Sequence, residues 1–331
     1  MCALAGCGAP HSASAEKCGE APVAAAGELK TILRASAFGA DALILGSAAL
    51  PGGSIVVAYE GNPEEAGGEE GWTPDPGLVL LGEDGSCAPF PAPSVDGVRV
   101  GLDAQPVAVD SDGRLYLWDP EDRRVVREKV GGSWEMVTML PERFLSYQPT
   151  PDVAVDPDGD VYLSGDYRVS RVTATGSLED VAGNGEQGRT AEAGTKNLPR
   201  PGTSAPLPEV RAIRSTPSGA LVMATKSAVM TLDAGTLSLL ADKNSTAAEE
   251  ARLTERTQLT ALEVTPSGDV LVSDLPGRRI LRLREQAVTV LVESPSYLSL
   301  SPGGALLPDG AALLVHQDGG QSLAVYGMSS D

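Results

Sequence analysis

The sequence predicts an all-β fold built from repeats, and three observations lead to this prediction. The 331-residue chain contains 38 Gly and 25 Pro, which interrupt helices and form turns. No segment combines a long helical period with capping residues at both ends. Short runs of Val, Leu, Ile and Tyr alternate instead with turn residues, as they do in strands. Because 42% of the residues are hydrophobic, the chain can also bury a sizeable core.

A turn motif that closes with glycine recurs along the chain. In such a triplet Pro suits the second position of a type I turn and Gly supplies the positive φ that follows, so the triplet can join two antiparallel strands. Successive closing glycines are 42 to 60 residues apart, a spacing typical of propeller blades. The triplets are Pro51-Gly52-Gly53, Ser111-Asp112-Gly113, Pro157-Asp158-Gly159, Pro217-Ser218-Gly219, Pro266-Ser267-Gly268 and Pro308-Asp309-Gly310.

Four strands accompany each turn in the clearest repeats. In the third repeat we predict them at 153–156, 161–163, 171–172 and 178–182. Four strands in one repeat make one propeller blade. The sequence therefore predicts a six-bladed β-propeller of four-stranded antiparallel blades over residues 28–331.

The last repeat lacks a fourth strand of its own. Its later strands are expected at 312–315 and 322–326, close to the end of the sequence. The segment 29–34 has the character of a fourth strand and precedes the first complete repeat. We predict that this N-terminal strand closes the ring and removes an open edge that would invite aggregation.

One stretch carries a resemblance to a known family. Residues 153–163, VAVDPDGDVYL, followed by Asp166 and Arg171, resemble an NHL repeat, in which a DG turn is followed by an aspartate and an arginine five residues later. The same spacing recurs as Asp119/Arg124 and Asp274/Arg279. The other blades show Tyr59, Thr225 and His316 near the aspartate position, so they fit the pattern only through turn and strands. The resemblance implies a propeller fold more firmly than an activity.

The N-terminal 27 residues are predicted to be a truncated signal and a flexible tether. Leu4 to Cys7 resembles a bacterial lipobox, in which the cysteine receives a lipid, although only six residues precede Cys7. The match can also be a chance feature of an Ala-rich leader. In an exported, lipidated protein Cys18 and Cys87 would be left to form a disulfide, whereas in the cytosol all the thiols would be reduced. The expected location is extracytoplasmic, secreted or lipid-anchored to the cell envelope.

The acidic composition limits the classes of partner. Asp and Glu outnumber Lys and Arg by 45 to 25, giving a formal charge of −20. Such a charge repels nucleic acid and anionic lipid headgroups, so membrane contact is expected only through the lipid anchor. The acidity is also consistent with a role in solubility alone. A protein or small-molecule ligand remains open.

Candidate binding residues lie on the face that we call the top, where second-to-third-strand loops and blade-to-blade connections are expected. The longest insertions, 60–77, 183–208 and 242–258, all fall there, and such loops often carry binding sites but also tolerate neutral insertions. The first of them is acidic and surrounds Trp72. Residues six or seven positions after the turn glycines should ring the central opening. The candidate ligand-binding residues are Tyr59, Glu60, Trp72, Asp119, Asp166, Lys226, Asp274 and His316.

These side chains have two interpretations. Carboxylates with one imidazole can hold a divalent cation or orient a ligand. Alternatively, each aspartate pairs with the arginine five residues on and stabilises its blade. The repetition of the pair favours the structural interpretation, because a catalytic residue need occur only once. His316 has no repeated partner in the sequence.

The sequence predicts a binding or scaffolding module that uses the top face, rather than an enzyme. Propellers that resemble this one include lyases and lactonases with metal sites, so a metal-dependent lactonase or lyase with an acidic centre is the alternative. The chain has only two histidines, and His11 lies in the leader, which excludes a multi-histidine zinc site within one chain. No G-x-S-x-G motif is present. We therefore predict no catalytic residue and no resident cofactor, with a divalent cation left open.

Overall fold

The computed structural model describes residues 16–38, 42–60, 77–145, 151–165, 167–186, 198–204, 206–242, 253, 257–284, 287–301, 303–317 and 321–328. These residues form almost entirely β structure. The short 3-10 helices in this part of the chain are Ala35–Phe38, Glu142–Leu145 and Gly202–Ser204. No helix in the ranges given is long or apolar enough to cross a membrane.

The first half of the chain supplies two N-terminal strands and three blades. The N-terminal strands are β1 (Glu16–Lys17) and β2 (Leu29–Arg34). Blade 1 contains β3 (Leu43–Ala49), β4 (Ile55–Glu60), β5 (Gly77–Leu81) and β6 (Ser86–Pro89). A small hairpin follows, made of β7 (Ser94–Val95) and β8 (Val98–Arg99). Blade 2 contains β9 (Gln105–Val109), β10 (Leu115–Asp119), β11 (Arg124–Glu128) and β12 (Trp134–Met139). Blade 3 contains β13 (Val153–Val155), β14 (Val161–Gly165), β15 (Arg168–Val172) and β16 (Leu178–Ala182).

The second half supplies the remaining three blades. The short strand β17 (Arg200–Pro201) pairs with the outer strand of blade 4. Blade 4 contains β18 (Val210–Ser215), β19 (Leu221–Thr225), β20 (Ala228–Asp233) and β21 (Thr236–Asp242). Blade 5 contains β22 (Leu259–Val264), β23 (Val270–Asp274), β24 (Arg279–Arg284) and β25 (Ala287–Glu293). Blade 6 contains β26 (Tyr297–Leu300), β27 (Ala312–Gln317) and β28 (Gln321–Tyr326).

The predicted fold, a six-bladed propeller of antiparallel four-stranded sheets, is confirmed. Each predicted turn joins the first and second strands of a blade. The closing glycines have φ between 79° and 87°, and each donates its N–H to the carbonyl three residues earlier, as Gly159 does to Asp156 at 3.0 Å. A side chain rarely adopts this backbone conformation, which explains why glycine recurs there.

The ring closes through the N-terminal strand, as predicted. Strand β2 pairs antiparallel with β28, with Leu29 opposite Tyr326 and Arg34 opposite Ser322, and supplies the fourth strand of blade 6. Strand β1 pairs with β6 at the outer edge of blade 1. Part of the predicted tether therefore joins the sheet of blade 1, and residues 16–34 cross the junction between the first and last blades.

A disulfide between Cys18 and Cys87 fastens this crossing segment to blade 1. The two Cα atoms are 5.6 Å apart, and the residues are separated by 69 positions in the sequence. Cys87 is buried in the apolar cluster shared by blades 1 and 6. The junction is thus held by strand pairing, by apolar packing and by a covalent link.

Aspartates at the ends of two first strands organise the turns that follow. Asp110 accepts hydrogen bonds from the backbone of its turn and from the hydroxyl of Tyr116 at 3.2 Å. Asp156 does the same with the hydroxyl of Tyr162 at 3.1 Å. Burial and the nearby Asp156 charge raise the pKa of Tyr162 to about 12, so its hydroxyl remains a donor. These pairs stabilise blades 2 and 3.

Blade 5 has a different arrangement at the same turn. The turn residue Asp269 accepts hydrogen bonds from Arg282 at 2.7 Å and from Arg284 at 2.8 Å. Its side chain is only 5% exposed. Hydrogen bonding from Arg284 lowers the pKa of Asp269 below 3.8, and burial opposes that shift. This carboxylate is therefore ionised and links the turn to β24.

Candidate functional site

Asp119 and Asp274, the candidate aspartates of blades 2 and 5, form ion pairs within their own blades. Asp119 ends β10 and is fully buried, and its Oδ2 lies 2.9 Å from Nε of Arg124. Asp274 ends β23 with a side chain 3% exposed, and its Oδ2 lies 2.9 Å from Nε of Arg279. In both blades the aspartate stands directly opposite its arginine across the second and third strands. The spacing of five residues therefore reflects the length of a hairpin.

Blade 3 departs from that arrangement. The candidate Asp166 lies outside the described residues. The predicted contact of Asp166 with Arg171 therefore stays a prediction, and Arg171 pairs with Asp160 at 3.3 Å and Glu179 at 3.0 Å. The cause is register: Gly165 stands opposite Arg168 here, so the hairpin is two residues shorter than in blade 2 and Arg171 lies further along its strand.

His316 is held by serines. It lies in β27 and is 8% exposed. Its Nε2 is 3.0 Å from Oγ of Ser294 and 3.1 Å from Oγ of Ser296, two residues of the connection from blade 5 to blade 6. The histidine therefore fixes this connection against the second strand of blade 6.

The remaining candidates differ in environment. Tyr59 is 3% exposed and stacks on Phe38, with ring centroids 4.1 Å apart. Glu60 and Lys226 are exposed. Trp72 lies outside the described residues, as does Cys7. Among the residues that the structure describes, no three His, Cys, Asp or Glu side chains form a group that could hold a metal ion.

A cavity of about 470 Å³ lies instead at the other end of the central channel, on the bottom face formed by the first-to-second-strand turns. All six blades contribute to its wall, and none of the top-face candidates does. Most of the wall is aliphatic, with charged or hydroxyl groups only from blades 4 and 5. The lining residues are Ala49, Leu50, Pro51, Ala108, Val109, Val153, Ala154, Val155, Arg214, Ser215, Glu263, Pro266, Gly303, Gly304, Leu306, Leu307, Pro308 and Gly310.

The charged part of this wall is a cluster formed by three blades. Nη1 of Arg214 lies 3.0 Å and 2.9 Å from the two carboxylate oxygens of Asp152. Nε of Arg214 lies 3.5 Å from Oε2 of Glu263. The three side chains are 11% to 15% exposed. The cluster therefore joins blades 3, 4 and 5 inside the channel.

Burial and charge act against each other in this cluster. Burial would lower the pKa of Arg214, but the charges of Asp152 and Glu263 outweigh it and raise that pKa. Burial raises the pKa of Asp152, while the arginine and the N–H of Ile213 oppose the change. The guanidinium is therefore permanently charged, and it is the one basic group in the wall of the cavity as the structure describes it.

Sequence reasoning missed this cluster, although a signal for it exists. The residue five positions before the closing glycine lies in or beside the innermost strand of each blade. It is Ala48, Ala108, Ala154 and Ala305 in four blades, but Arg214 and Glu263 in blades 4 and 5. Two charged residues in an otherwise small, apolar set indicate a special position in the channel.

A segment of blade 6 that lines the channel also contacts neighbouring blades. The backbone N–H of Ala305 donates to Oε2 of Glu263 at 2.8 Å, which connects blade 6 to blade 5. A Cβ atom on Gly303 would collide with the carbonyl oxygen of Pro106 in blade 2 and would be in tight contact with that of Ser47 in blade 1. Residues 303–305 therefore pack against blades on both sides of blade 6.

Solved structures similar to this chain are six-bladed β-propeller proteins. A structural genomics protein of unknown function from Bacteroides thetaiotaomicron aligns with TM-score 0.56 and 15% identity over 90% of this chain and 75% of its own. A catalytically inactive virginiamycin B lyase from Staphylococcus aureus, solved with quinupristin, aligns with TM-score 0.52 and 10% identity over 90% and 99% of the two chains. A gluconolactonase from Xanthomonas campestris aligns with TM-score 0.51 and 13% identity over 95% and 99%.

At these identities the likeness establishes the fold alone. No protein-family model matches the sequence, and no curated protein matches it either.

Proposed function

We propose that this protein is a binding module that recognises its partner through the top face and does not catalyse a reaction. The observation that carries the proposal is the engagement of the polar side chains at the top of the blades. Asp119 and Asp274 are neutralised by their own arginines, and His316 is held by two serines. Side chains committed to such contacts stabilise blades and are poorly placed to coordinate an ion or transfer a proton.

The loops of the top face are the proposed recognition surface. Residues 61–76 connect β4 to β5, and residues 243–256 fall between β21 and β22, so both depart from the end of the propeller where Asp119 and His316 lie. A rigid ring that presents long loops at one end is a common arrangement for binding. The NHL-like repeats, the lipobox-like Cys7 and the disulfide support a protein exported by a bacterium and held at its envelope.

A lactonase or lyase activity is the second candidate. It rests on the likeness to a gluconolactonase and a virginiamycin B lyase, which concerns the fold. The test is turnover of gluconolactone and of a streptogramin B antibiotic by the purified protein with Ca²⁺, Mn²⁺ or Zn²⁺. We expect no conversion above the rate without protein. Metal-dependent conversion that is lost in His316→Gln or Asp274→Asn, with the melting temperature unchanged, would contradict the proposal.

A loop deletion tests recognition itself. Removing residues 64–71 shortens the β4–β5 connection and should leave the melting temperature unchanged. We expect a partner captured by the full-length chain from bacterial envelope fractions to be lost with the deletion variant. Equal capture by both proteins would exclude this loop as the recognition surface.

A further inference from the structure

The channel cavity on the bottom face has the properties of a small-molecule site separate from the proposed recognition surface. Its volume of about 470 Å³ falls within the range of ligand pockets in proteins. Its wall is aliphatic except on the side of blades 4 and 5, where Arg214, Ser215 and Glu263 lie. An apolar pocket with a few polar groups on one side orients a ligand that is itself mostly apolar and has its polar group at one end.

Arg214 supplies an unused donor in this wall. Its Nη1 donates to Asp152 and to the carbonyl of Ile213, and its Nε faces Glu263. Its Nη2 donates to no residue in the part of the chain that the structure describes. A guanidinium has five N–H donors in a fixed plane, so two of them are unused by the described residues where the side chain borders the cavity.

The carboxylates of the cluster are already satisfied. Asp152 accepts from Arg214 and from the N–H of Ile213 at 2.7 Å. Glu263 accepts from the N–H groups of Val264 at 2.9 Å and Ala305 at 2.8 Å. Each carboxylate thus already accepts at least two hydrogen bonds, and among these three side chains only Arg214 offers a hydrogen-bond donor to a ligand.

Charge selects between ligands that could use that donor. The cluster holds one guanidinium and two carboxylates, and the whole chain carries a formal charge of −20. An anion would bind a site with excess negative charge at a cost that rises in a region of low dielectric. A cation has no lone pair to accept from the N–H groups of Arg214, and the positive charge of the guanidinium would repel it. An uncharged acceptor, such as a carbonyl oxygen, meets neither obstacle.

We propose that the bottom-face channel cavity binds a small, compact, largely apolar and uncharged molecule, and that Nη2 of Arg214 donates a hydrogen bond to its carbonyl or ether oxygen. The aliphatic wall covers the apolar body of the molecule. Asp152 and Glu263 act as positioning residues, because they hold the guanidinium in its plane.

Three rigid probes with the same hydrocarbon cage test this proposal. They are 2-adamantanone, the 1-adamantylammonium ion and adamantane-1-carboxylate, and titration calorimetry compares their dissociation constants for the full-length protein. We expect the ketone to bind at least tenfold more tightly than either ion. Absence of ketone binding, or an ion that binds as tightly as the ketone, would overturn the proposal.

Two variants separate the hydrogen bond from the shape of the cavity. Arg214→Lys keeps a cation for both carboxylates but removes Nη2, and it should weaken ketone binding by on the order of tenfold to a hundredfold, the range for a hydrogen bond to a charged group. Val155→Phe adds bulk at a partly buried position of the wall and should abolish binding of all probes. Circular dichroism and the melting temperature show whether each variant is folded. If Arg214→Lys does not fold, the effect of Val155→Phe on ketone binding tests the site. If folded Arg214→Lys binds the ketone with unchanged affinity, Arg214 does not donate the proposed hydrogen bond. If folded Val155→Phe does so, the cavity is not the binding site.

The variant lacking residues 64–71 is the matched control. It alters the top face and leaves the channel intact, so its affinity for 2-adamantanone should equal that of the full-length protein. A loss of ketone affinity in this variant would refute the location of the site. The result does not depend on whether the top face recognises a partner.

Discussion

Replacing Asp119 with alanine should destabilise the protein without removing a ligand-binding or catalytic residue. The side chain is fully buried, and Nε of Arg124, itself 10% exposed, lies 2.9 Å away. Asp119→Ala leaves this guanidinium in a buried position, where its one other acidic partner among the described residues is Asp122, at 2.8 Å and 47% exposed. Breaking one partner of a buried pair costs about 3 to 5 kcal/mol, and the remaining partner should reduce the cost to about 2 to 3 kcal/mol.

The assay is thermal and urea unfolding of single and double variants. For cooperative unfolding of a chain of 331 residues, a loss of about 2 to 3 kcal/mol corresponds to a melting temperature lower by about 3 to 4 °C. Asp119→Ala/Arg124→Ala should recover part of that loss, because no charge is then left buried without its partner. Asp274→Ala should resemble Asp119→Ala, since the geometry of its pair is the same.

An exposed pair provides the control. Arg171 and Glu179 lie 3.0 Å apart with side chains 41% and 58% exposed, so Glu179→Ala should change the stability by less than about 1 kcal/mol. If Asp119→Ala costs no more than this control, or if the double variant is as unstable as the sum of the single ones, the structural interpretation of the aspartates is wrong.

Three further predictions concern the ring and its turns. Because the disulfide joins residues 69 positions apart, Cys18→Ala/Cys87→Ala should lower the free energy of unfolding by up to about 4 kcal/mol; a melting temperature that is insensitive to reductant would argue against this. Gly303→Ala should destabilise far more than Gly310→Ala, because both glycines have positive φ but only Gly303 is crowded by backbone; equal losses in urea unfolding would contradict the close packing of residues 303–305. The lowered pKa of Asp269 contributes stability that is present above pH 3.8 and lost as the pH falls through that pKa, so the stability difference between wild type and Asp269→Asn should shrink between pH 7 and about pH 3; a difference independent of pH would refute the assignment.

Much of the fold could be predicted because its signals are local. The turn triplets need glycine for their backbone conformation, and they recur at the spacing of a blade. The strand at 29–34 was identified by the absence of a fourth strand in the last repeat, and it pairs with β28 as expected. The Asp119/Arg124 and Asp274/Arg279 contacts follow from one hairpin length, which a spacing of five residues encodes.

Residue spacing does not predict contacts that depend on strand register or on residues distant in the sequence. Arg171 lies five residues after Asp166 in the sequence, and the shorter hairpin of blade 3 brings Arg171 next to Asp160 and Glu179. His316 stands alone in the sequence, and only the connection from blade 5 brings Ser294 and Ser296 to its ring. Neither outcome can be derived from residue spacing, because each depends on how neighbouring strands align.

By itself the sequence determined the class of fold, the blade number, the closing strand and the pairing of Asp119 and Asp274 with their arginines. Only the tertiary structure decided that the charged cluster of the channel exists. Arg214 lies 62 residues from Asp152 and 49 from Glu263 in the sequence, so no local pattern shows that the three side chains meet. They meet because a ring of blades directs its innermost strands to one axis, where residues a full repeat apart become neighbours. Because the three side chains are buried there, the attraction between their opposite charges is stronger than it would be in water.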